Sequence, residues 1–248
     1  MRMRAESPTV RPAAVAGSFY PRDPGLLRQD VANLLIEALD PQTGRPKALI
    51  APHAGYAYSG PVAGRAFATL ADGAASITRV VVIGPAHYVS LPGIAVPTAE
   101  AFETPLGRVL LDHDALSDLC GLPFVAQADV PHAPEHAIEV ELPFLQLVLE
   151  RFTLVPLLVC DAHPTQVAEA IGRLWGGPET VVVISSDLSH FHDYGTAQRL
   201  DAATATAIEQ GNWARLGPGD ACGFFAVAGL LQYTAALGLR ARRLALGN

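Results

Sequence analysis

The chain has 248 residues and a formal net charge of −7, and this acidic balance argues against a nucleic-acid partner. Hydrophobic residues make up 50% of the sequence and charged residues 17%, so the chain can build a sizeable core and is not a disordered protein. The longest apolar runs, such as Leu154 to Cys160, are far shorter than the roughly 20 residues that span a bilayer, so no membrane segment is expected.

The N-terminal arginines are not followed by an apolar stretch of the kind found in secretory signals, so we expect a cytoplasmic location. Three cysteines are present, and their odd number and wide spacing fit neither a disulfide framework nor a paired-cysteine zinc motif. Cys120 and Cys160 lie in apolar surroundings and are predicted to be small buried hydrophobic residues.

The predicted elements alternate along the chain. Asp23 and Pro24 form an N-cap and first turn ahead of a helical repeat of apolar residues that runs to Leu39. Buried strands are predicted at residues 48–51, 80–83, 152–159 and 181–184. Further helices are predicted at residues 60–71, 114–120, 137–150, 165–175, 196–210 and 222–237, where Pro143 either begins its helix or kinks it.

This alternation predicts an α/β fold: a single three-layer domain over residues 1–248, with a mostly parallel sheet and helices on both faces. Between Ile94 and Leu111, two apolar stretches flank a polar segment that contains Pro105 and Gly107. That pattern favours an antiparallel excursion over a crossover helix. We therefore expect the sheet to be mixed.

Ligand-type side chains directly follow three of the predicted strands: His53 after the first, His87 after the second, and Asp187 with His190 after the last. The carboxyl ends of parallel strands meet at one edge of a sheet, where binding crevices form. Imidazole and carboxylate groups suit first-row transition metals, and three protein ligands leave positions open for a substrate. Each histidine alone could equally be a hydrogen-bonded core residue, but together they favour a metal site.

Asp187 and His190 are three residues apart and would share a face on a helical turn, so either could be a ligand, a general base or a group that orients the other. His192 is predicted to lie in a solvated loop. Glu135 and His136 open an apolar predicted helix and could add an acid/base pair to the same crevice. The alternative is simple negative charge at a helix N-terminus.

Cys222 stands immediately before a long apolar helical stretch. Because a helix N-terminus lowers the pKa of a thiol, this position favours a metal ligand or a redox thiol. His113, His132 and His163 lie near aspartate or proline residues in predicted loops, and we expect them to be surface residues.

The chain resembles the Memo family, which in bacteria and archaea is also called AmmeMemoRadiSam system protein B. Its fold is similar to that of class III extradiol dioxygenases of the LigB type. The residues that carry the resemblance are spread over nearly the whole chain: Pro12–Pro21, Ala51–Gly60, Gly84–His87, Glu135–Glu139, Ser185–His190 and Ala221–Gly223.

The resemblance implies that His53, His87 and Cys222 are metal ligands for iron or copper, with zinc as a further candidate, and that Asp187 and His190 occupy the remaining pocket positions. Class III dioxygenases instead hold Fe(II) with two histidines and one glutamate. A thiolate is a softer ligand, tolerates Cu(I) and can itself be oxidised. Metal-dependent redox chemistry is therefore favoured over cleavage of a catechol ring.

Three hypotheses remain open. The first is a metal-dependent oxidoreductase with His190 as acid/base and Asp187 as the residue that orients it. The second is an extradiol dioxygenase in which Glu135, Glu139 or Glu141 replaces Cys222 as a ligand. The third is a non-catalytic adaptor whose cleft captures a peptide or a partner protein. The family name also implies association with a radical-SAM protein and an AMMECR-type protein.

Overall fold

The computed structural model describes residues 9–36 and 44–247. The strands in these ranges are β1 Val10–Arg11, β2 Ala48–Ala51, β3 Arg79–Pro85, β4 Ile94–Val96, β5 Ala101–Thr104, β6 Gly107–Leu110, β7 Val125–Gln127, β8 Thr153–Val159 and β9 Thr180–Ser185. The helices are α1 Pro24–Ile36, α2 Tyr56–Ala68, α3 His113–Leu119, α4 Asp129–His132, α5 Leu142–Val148, α6 Pro164–Leu174, α7 Tyr194–Glu209 and α8 Phe224–Ala236. Short 3₁₀ turns occur at Ala74–Ser76, Glu139–Glu141 and Trp213–Arg215.

The main sheet has the strand order β2-β9-β3-β8-β4-β7. β2, β9, β3 and β8 are parallel, whereas β4 runs antiparallel to β8 and parallel to β7. A second, smaller sheet pairs β1 parallel to β5, and β5 antiparallel to β6. The predicted α/β fold with a mixed sheet is confirmed, and each of the four predicted strands is present within two residues of its expected bounds.

The core of the sheet is formed by β3 and β9, which lie side by side in its middle. Val80–Ile83 and Val181–Ile184 are completely buried. Strands covered on both faces are apolar at every position, which explains why these runs do not alternate with polar residues. Helices α1, α2 and α5 pack on one another, and α3, α6 and α8 form a second group.

Most predicted helices are present with shifted ends. Asp23 caps α1 as predicted, because its Oδ1 accepts from the Leu26 N–H at 2.9 Å, while the predicted continuation to Leu39 lies outside the described residues. α2 begins four residues earlier than predicted, at Tyr56, whose N–H donates to the Phe19 carbonyl at 2.8 Å. Among the described helices, none combines the length and apolarity needed to cross a bilayer.

The predicted helix at 137–150 is wrong in its first part. The Glu135 carboxylate accepts from the N–H groups of His136 and Ala137 at 2.8 and 2.9 Å, and these bonds hold the segment in a turn. A 3₁₀ turn follows at Glu139–Glu141, and the α-helix begins only at Leu142. Pro143 lies in its first turn, where a missing N–H costs nothing, so this proline begins the helix and does not kink it.

A buried carboxylate fixes the N-terminal segment on the sheet. Glu139 is fully buried and accepts from the Arg11 guanidinium, from the Tyr20 hydroxyl and from two backbone N–H groups, those of Ala14 at 2.7 Å and Val15 at 3.1 Å. Arg11 also donates to the carbonyl oxygens of residues 132 and 135. Glu139 therefore holds the N-terminal segment in place. Phe19, which belongs to this segment, contacts the start of α2 through the hydrogen bond from the Tyr56 N–H to its carbonyl.

We predict that Glu139→Gln destabilises the protein by about 3–5 kcal/mol, because it leaves the buried Arg11 charge without its counter-ion. The free energy of unfolding measured in urea tests this. Glu103→Gln is the control: Glu103 pairs with Arg108 at 3.4 Å on the surface, and loss of an exposed pair should cost less than about 1 kcal/mol. Equal losses in the two variants would contradict the prediction.

Candidate metal centre

Three histidine rings meet at the carboxyl edge of the main sheet. His53 follows β2, His87 follows β3, and His136 lies in the turn before the 3₁₀ helix. One ring nitrogen from each lies within 4.8 Å of the others. The ring centroids are 5.2 Å apart for His53 and His87, and 4.7 Å for His87 and His136, which are nearly parallel at 12°. Within the described residues, this is the group of side chains spaced to hold a metal ion.

Hydrogen bonds fix both the backbone and the ring of His53. Its backbone N–H donates to Asp187 Oδ1 at 2.8 Å, and its Nδ1 lies 2.7 Å from the Ser185 hydroxyl. Only 1% of the residue is exposed. These contacts direct Nε2 into the cluster, where it lies 3.3 Å from Cys222 Sγ.

Glu135 holds His87 in the same way. One carboxylate oxygen accepts from the His87 backbone N–H at 2.6 Å, and the other lies 2.9 Å from His87 Nδ1. Burial raises the pKa of Glu135, but the hydrogen bonds from His87 and from the Ala137 N–H outweigh it and lower the pKa to about 2. Glu135 is thus a fixed anion that orients a histidine, and it is not placed to exchange protons at neutral pH.

His136 is the third imidazole, although sequence reasoning gave it an acid/base role and not a ligand position. Burial lowers its pKa to about 4, and the neighbouring rings of His53 and His87 add to this against the opposing charge of Glu135. Its ring packs 4.7 Å from that of Phe19, and its Nδ1 lies 3.3 Å from the Tyr88 hydroxyl. His136 is therefore an uncharged imidazole at neutral pH.

Cys222 brings a thiol beside His53 from the loop before α8, next to the group of three imidazoles. Its Sγ accepts from the Asp187 N–H at 3.2 Å, and its own N–H donates to the Asp187 carbonyl at 3.2 Å. Burial raises the pKa of this thiol, but hydrogen bonds to His53 and His87 outweigh it and lower the pKa to about 6. Burial likewise lowers the pKa of His87, yet its bonds to Cys222 and Glu135 raise it to about 10.

The loops after β9 and before α8 touch closely at Gly223. A Cβ at this position would stand 2.6 Å from Ser186 Cβ and 2.9 Å from the Ser185 carbonyl oxygen. A side chain here would force the loops apart. The glycine next to Cys222 is thus required for the thiol to reach the histidines.

Asp187 and His190 do not form the pair that sequence reasoning expected. The Asp187 carboxylate accepts from the His53 N–H, whereas His190 is exposed and its ring packs 5.9 Å from that of Phe191. No hydrogen bond joins Asp187 and His190, both of which are among the described residues. A cavity of about 930 Å³ is lined by residues of β2 together with Tyr58, Asp187 and His190.

The other histidines and cysteines lie away from the cluster. His113, His163 and His192 are exposed, as predicted. The prediction for His132 was wrong: it is 2% exposed, and its Nε2 bonds the Ala95 carbonyl at 3.1 Å. Cys120 and Cys160 are only partly buried.

Sequence reasoning missed Ser185, which lies beneath His53 and also contacts the buried Glu141. The available signal was its position as the last residue of a strand that is otherwise apolar. A polar residue at the buried end of such a strand requires a partner.

The donor set fits a transition-metal ion. Nitrogen and sulfur donors are the ligands of zinc, copper and iron in proteins. In two of the rings the second nitrogen is already bonded, to Ser185 in His53 and to Glu135 in His87. This is the usual way in which proteins orient imidazole ligands toward a metal.

Fold and site together define an α/β protein with a cluster of imidazoles and a thiol at the carboxyl edge of its sheet. The family model of Memo-like protein matches residues 11–243. A MEMO1 family protein of Thermotoga neapolitana is 36% identical over 217 residues, which cover 81% of this chain and 78% of that protein. The chain belongs to the Memo family, and the resemblance seen in its motifs is confirmed.

Further relatives come from distant organisms. A MEMO1 family protein of Methanopyrus kandleri is 39% identical over 211 residues, which cover 77% of this chain and 72% of that protein. A protein of Caenorhabditis elegans named Protein memo-1 homolog is 35% identical over 192 residues, which cover 73% of this chain and 53% of that protein.

We predict that Cys222 of the metal-free protein is alkylated by iodoacetamide with a rate that rises through about pH 6, since its pKa is lowered to about 6 and only the thiolate reacts. A background with Cys120→Ser and Cys160→Ser isolates this thiol. His53→Gln should move the midpoint upward, because it removes an imidazole that stabilises the thiolate.

His113→Gln, on the exposed surface, is the matched control and should leave the midpoint unchanged. A midpoint near the ordinary thiol value of 9.0 in the parent background would show that the histidines do not stabilise the thiolate.

Proposed function

We propose that this Memo family protein is an oxidoreductase that depends on iron or copper, held by His53, His87 and Cys222. The observation that carries the proposal is the convergence of two imidazoles and a thiol with a lowered pKa, from three loops far apart in the chain. Zinc suits the same donors and is a further candidate. A bound iron or copper ion would supply electron transfer to a substrate.

His136 is assigned to the substrate side of this site. It is uncharged at neutral pH because its pKa is lowered to about 4, first by burial, so it can accept a hydrogen bond from a bound substrate. It also lies close enough to the other rings to supply a third imidazole to the ion. Metal affinity of the His136→Ala variant separates these two roles.

His190 remains the proposed acid/base group, without Asp187 as its orienting partner. It is exposed and lines the same cavity as Asp187. Asp187 instead contributes to the site by holding the backbone of His53 and of Cys222.

The extradiol alternative is weakened by the positions of the three glutamates. Glu135 is bonded to His87, Glu139 to Arg11, and Glu141 to Ser185. A carboxylate ligand would have to give up these buried partners, at the cost of leaving them unpaired.

We predict that protein purified under reducing, anaerobic conditions binds one equivalent of iron(II) or copper(I), and that His53→Ala and Cys222→Ala each abolish stoichiometric binding. Elemental analysis and calorimetric titration measure this. His136→Ala should weaken binding by less than about tenfold if its role lies outside the ligand set. His163→Ala, at an exposed helix cap, is the control. Metal-free protein whose affinity is insensitive to His53→Ala would refute the proposal.

We also predict no ring cleavage of catechols by the iron(II)-loaded protein, because the site offers a thiolate where extradiol enzymes use a carboxylate. Absorbance of the ring-opened product over a panel of catechols tests this. Turnover that persists in Cys222→Ala would favour the extradiol dioxygenase instead.

A further inference from the structure

Ser185 lies at the centre of a buried group of polar atoms beneath His53. Its hydroxyl oxygen is 2.6 Å from the Ala137 carbonyl oxygen, 2.7 Å from His53 Nδ1 and 2.9 Å from Glu141 Oε1. Ser185, Ala137 and Glu141 are completely buried, and His53 is 1% exposed. A hydroxyl group has one proton to donate and two lone pairs that accept. It can therefore donate to only one of these three partners.

The Ala137 carbonyl decides which partner receives that proton. A carbonyl oxygen can only accept, and it is the nearest of the three atoms. Ser185 must donate to it, since the alternative leaves a short contact between two acceptors. The remaining partners must then both donate to Ser185. His53 can do so through Nδ1–H, and Glu141 can do so only as a protonated carboxylic acid.

We propose that Glu141 is a neutral carboxylic acid: it donates to Ser185, which donates to the Ala137 carbonyl and accepts the Nδ1 proton of His53. This arrangement leaves His53 Nε2 facing Cys222, 3.3 Å from its Sγ. Its consequence for metal affinity rests on the proposed function, but the tautomer of His53 can be read in the metal-free protein.

The second oxygen of Glu141 supports this assignment independently. Glu141 Oε2 is buried and has no hydrogen-bond partner among the described residues. A carboxylate would leave negative charge on an oxygen without a donor, which is far more costly than leaving the carbonyl oxygen of an acid unpaired. Burial raises the pKa of Glu141 well above its ordinary value, and the charge of Asp187 adds to this against the opposing bond from Ser185.

The first test is infrared spectroscopy of the metal-free protein at neutral pH. We expect the carbonyl stretch of a protonated carboxyl group that disappears in Glu141→Gln. Glu103→Gln is the control: Glu103 lies on the surface and pairs with Arg108 at 3.4 Å, so its replacement should leave the band in place. Absence of the band from the parent protein would overturn the proposal.

The second test is the tautomer of His53, read by long-range proton–nitrogen correlation in the same metal-free protein. The proton should lie on Nδ1 in the parent and in Glu141→Gln, because an amide can still donate to Ser185. In Glu141→Met a proton should also stay on Nδ1, because the Ala137 carbonyl still takes the Ser185 proton. A parent protein without a proton on Nδ1 would overturn the proposal.

Calorimetric titration with Zn²⁺, which is redox-inert, separates this proposal from the proposed function. Glu141→Gln should bind Zn²⁺ within about tenfold of the parent, because Ser185 and His53 keep their hydrogen bonds. If the parent binds no Zn²⁺, iron or copper but the infrared band disappears in Glu141→Gln, the proposed function fails and the assignment of Glu141 stands.

Discussion

The parallel pairing of β9 with β2 on one side and β3 on the other is the constraint on which the site depends. This register sets Ala51 beside Ser185 and Ile83 beside Ile184, so the chain leaves all three strands at the same edge. The loops that carry His53, His87 and Asp187 therefore begin as neighbours. Because β3 and β9 are buried and apolar on both faces, a shift in their register would expose apolar side chains to solvent.

Buried polar groups then fix the loops to one another. The His53 N–H, the Cys222 N–H and the Cys222 sulfur all find their partners on Asp187, and the His87 N–H finds its partner on Glu135. A buried backbone donor without a partner would cost about 1–3 kcal/mol, so the loops are most stable when they are closed on each other. The hydrogen bonds of these backbone N–H groups thus largely determine where the ring nitrogens and the thiol lie.

Much of this arrangement could be predicted from the sequence, because it follows from strand order and polarity. Apolar runs of five or so residues identify the central strands, and the residues after them identify His53 and His87. The sequence could not show that the segment before Leu142 is a turn. This segment is not helical because the Glu135 carboxylate accepts from the distant His87 N–H and from the nearby Ala137 N–H. Nor could the sequence show that His132 is buried. Its ring packs beside Phe102 of β5, which belongs to the smaller sheet.

Three glutamates within seven residues illustrate why residue type alone does not assign chemistry. Glu135 meets N–H donors and a histidine, which lower its pKa to about 2 against the effect of burial. Glu139 meets a guanidinium, a phenol and two backbone N–H groups. Glu141 meets one hydroxyl, and burial raises its pKa. Each of these carboxyl groups is bound to a protein partner, whereas the sulfur of Cys222 lies 3.3 Å from His53 Nε2. A metal ion bound beside this sulfur would meet a softer donor than oxygen.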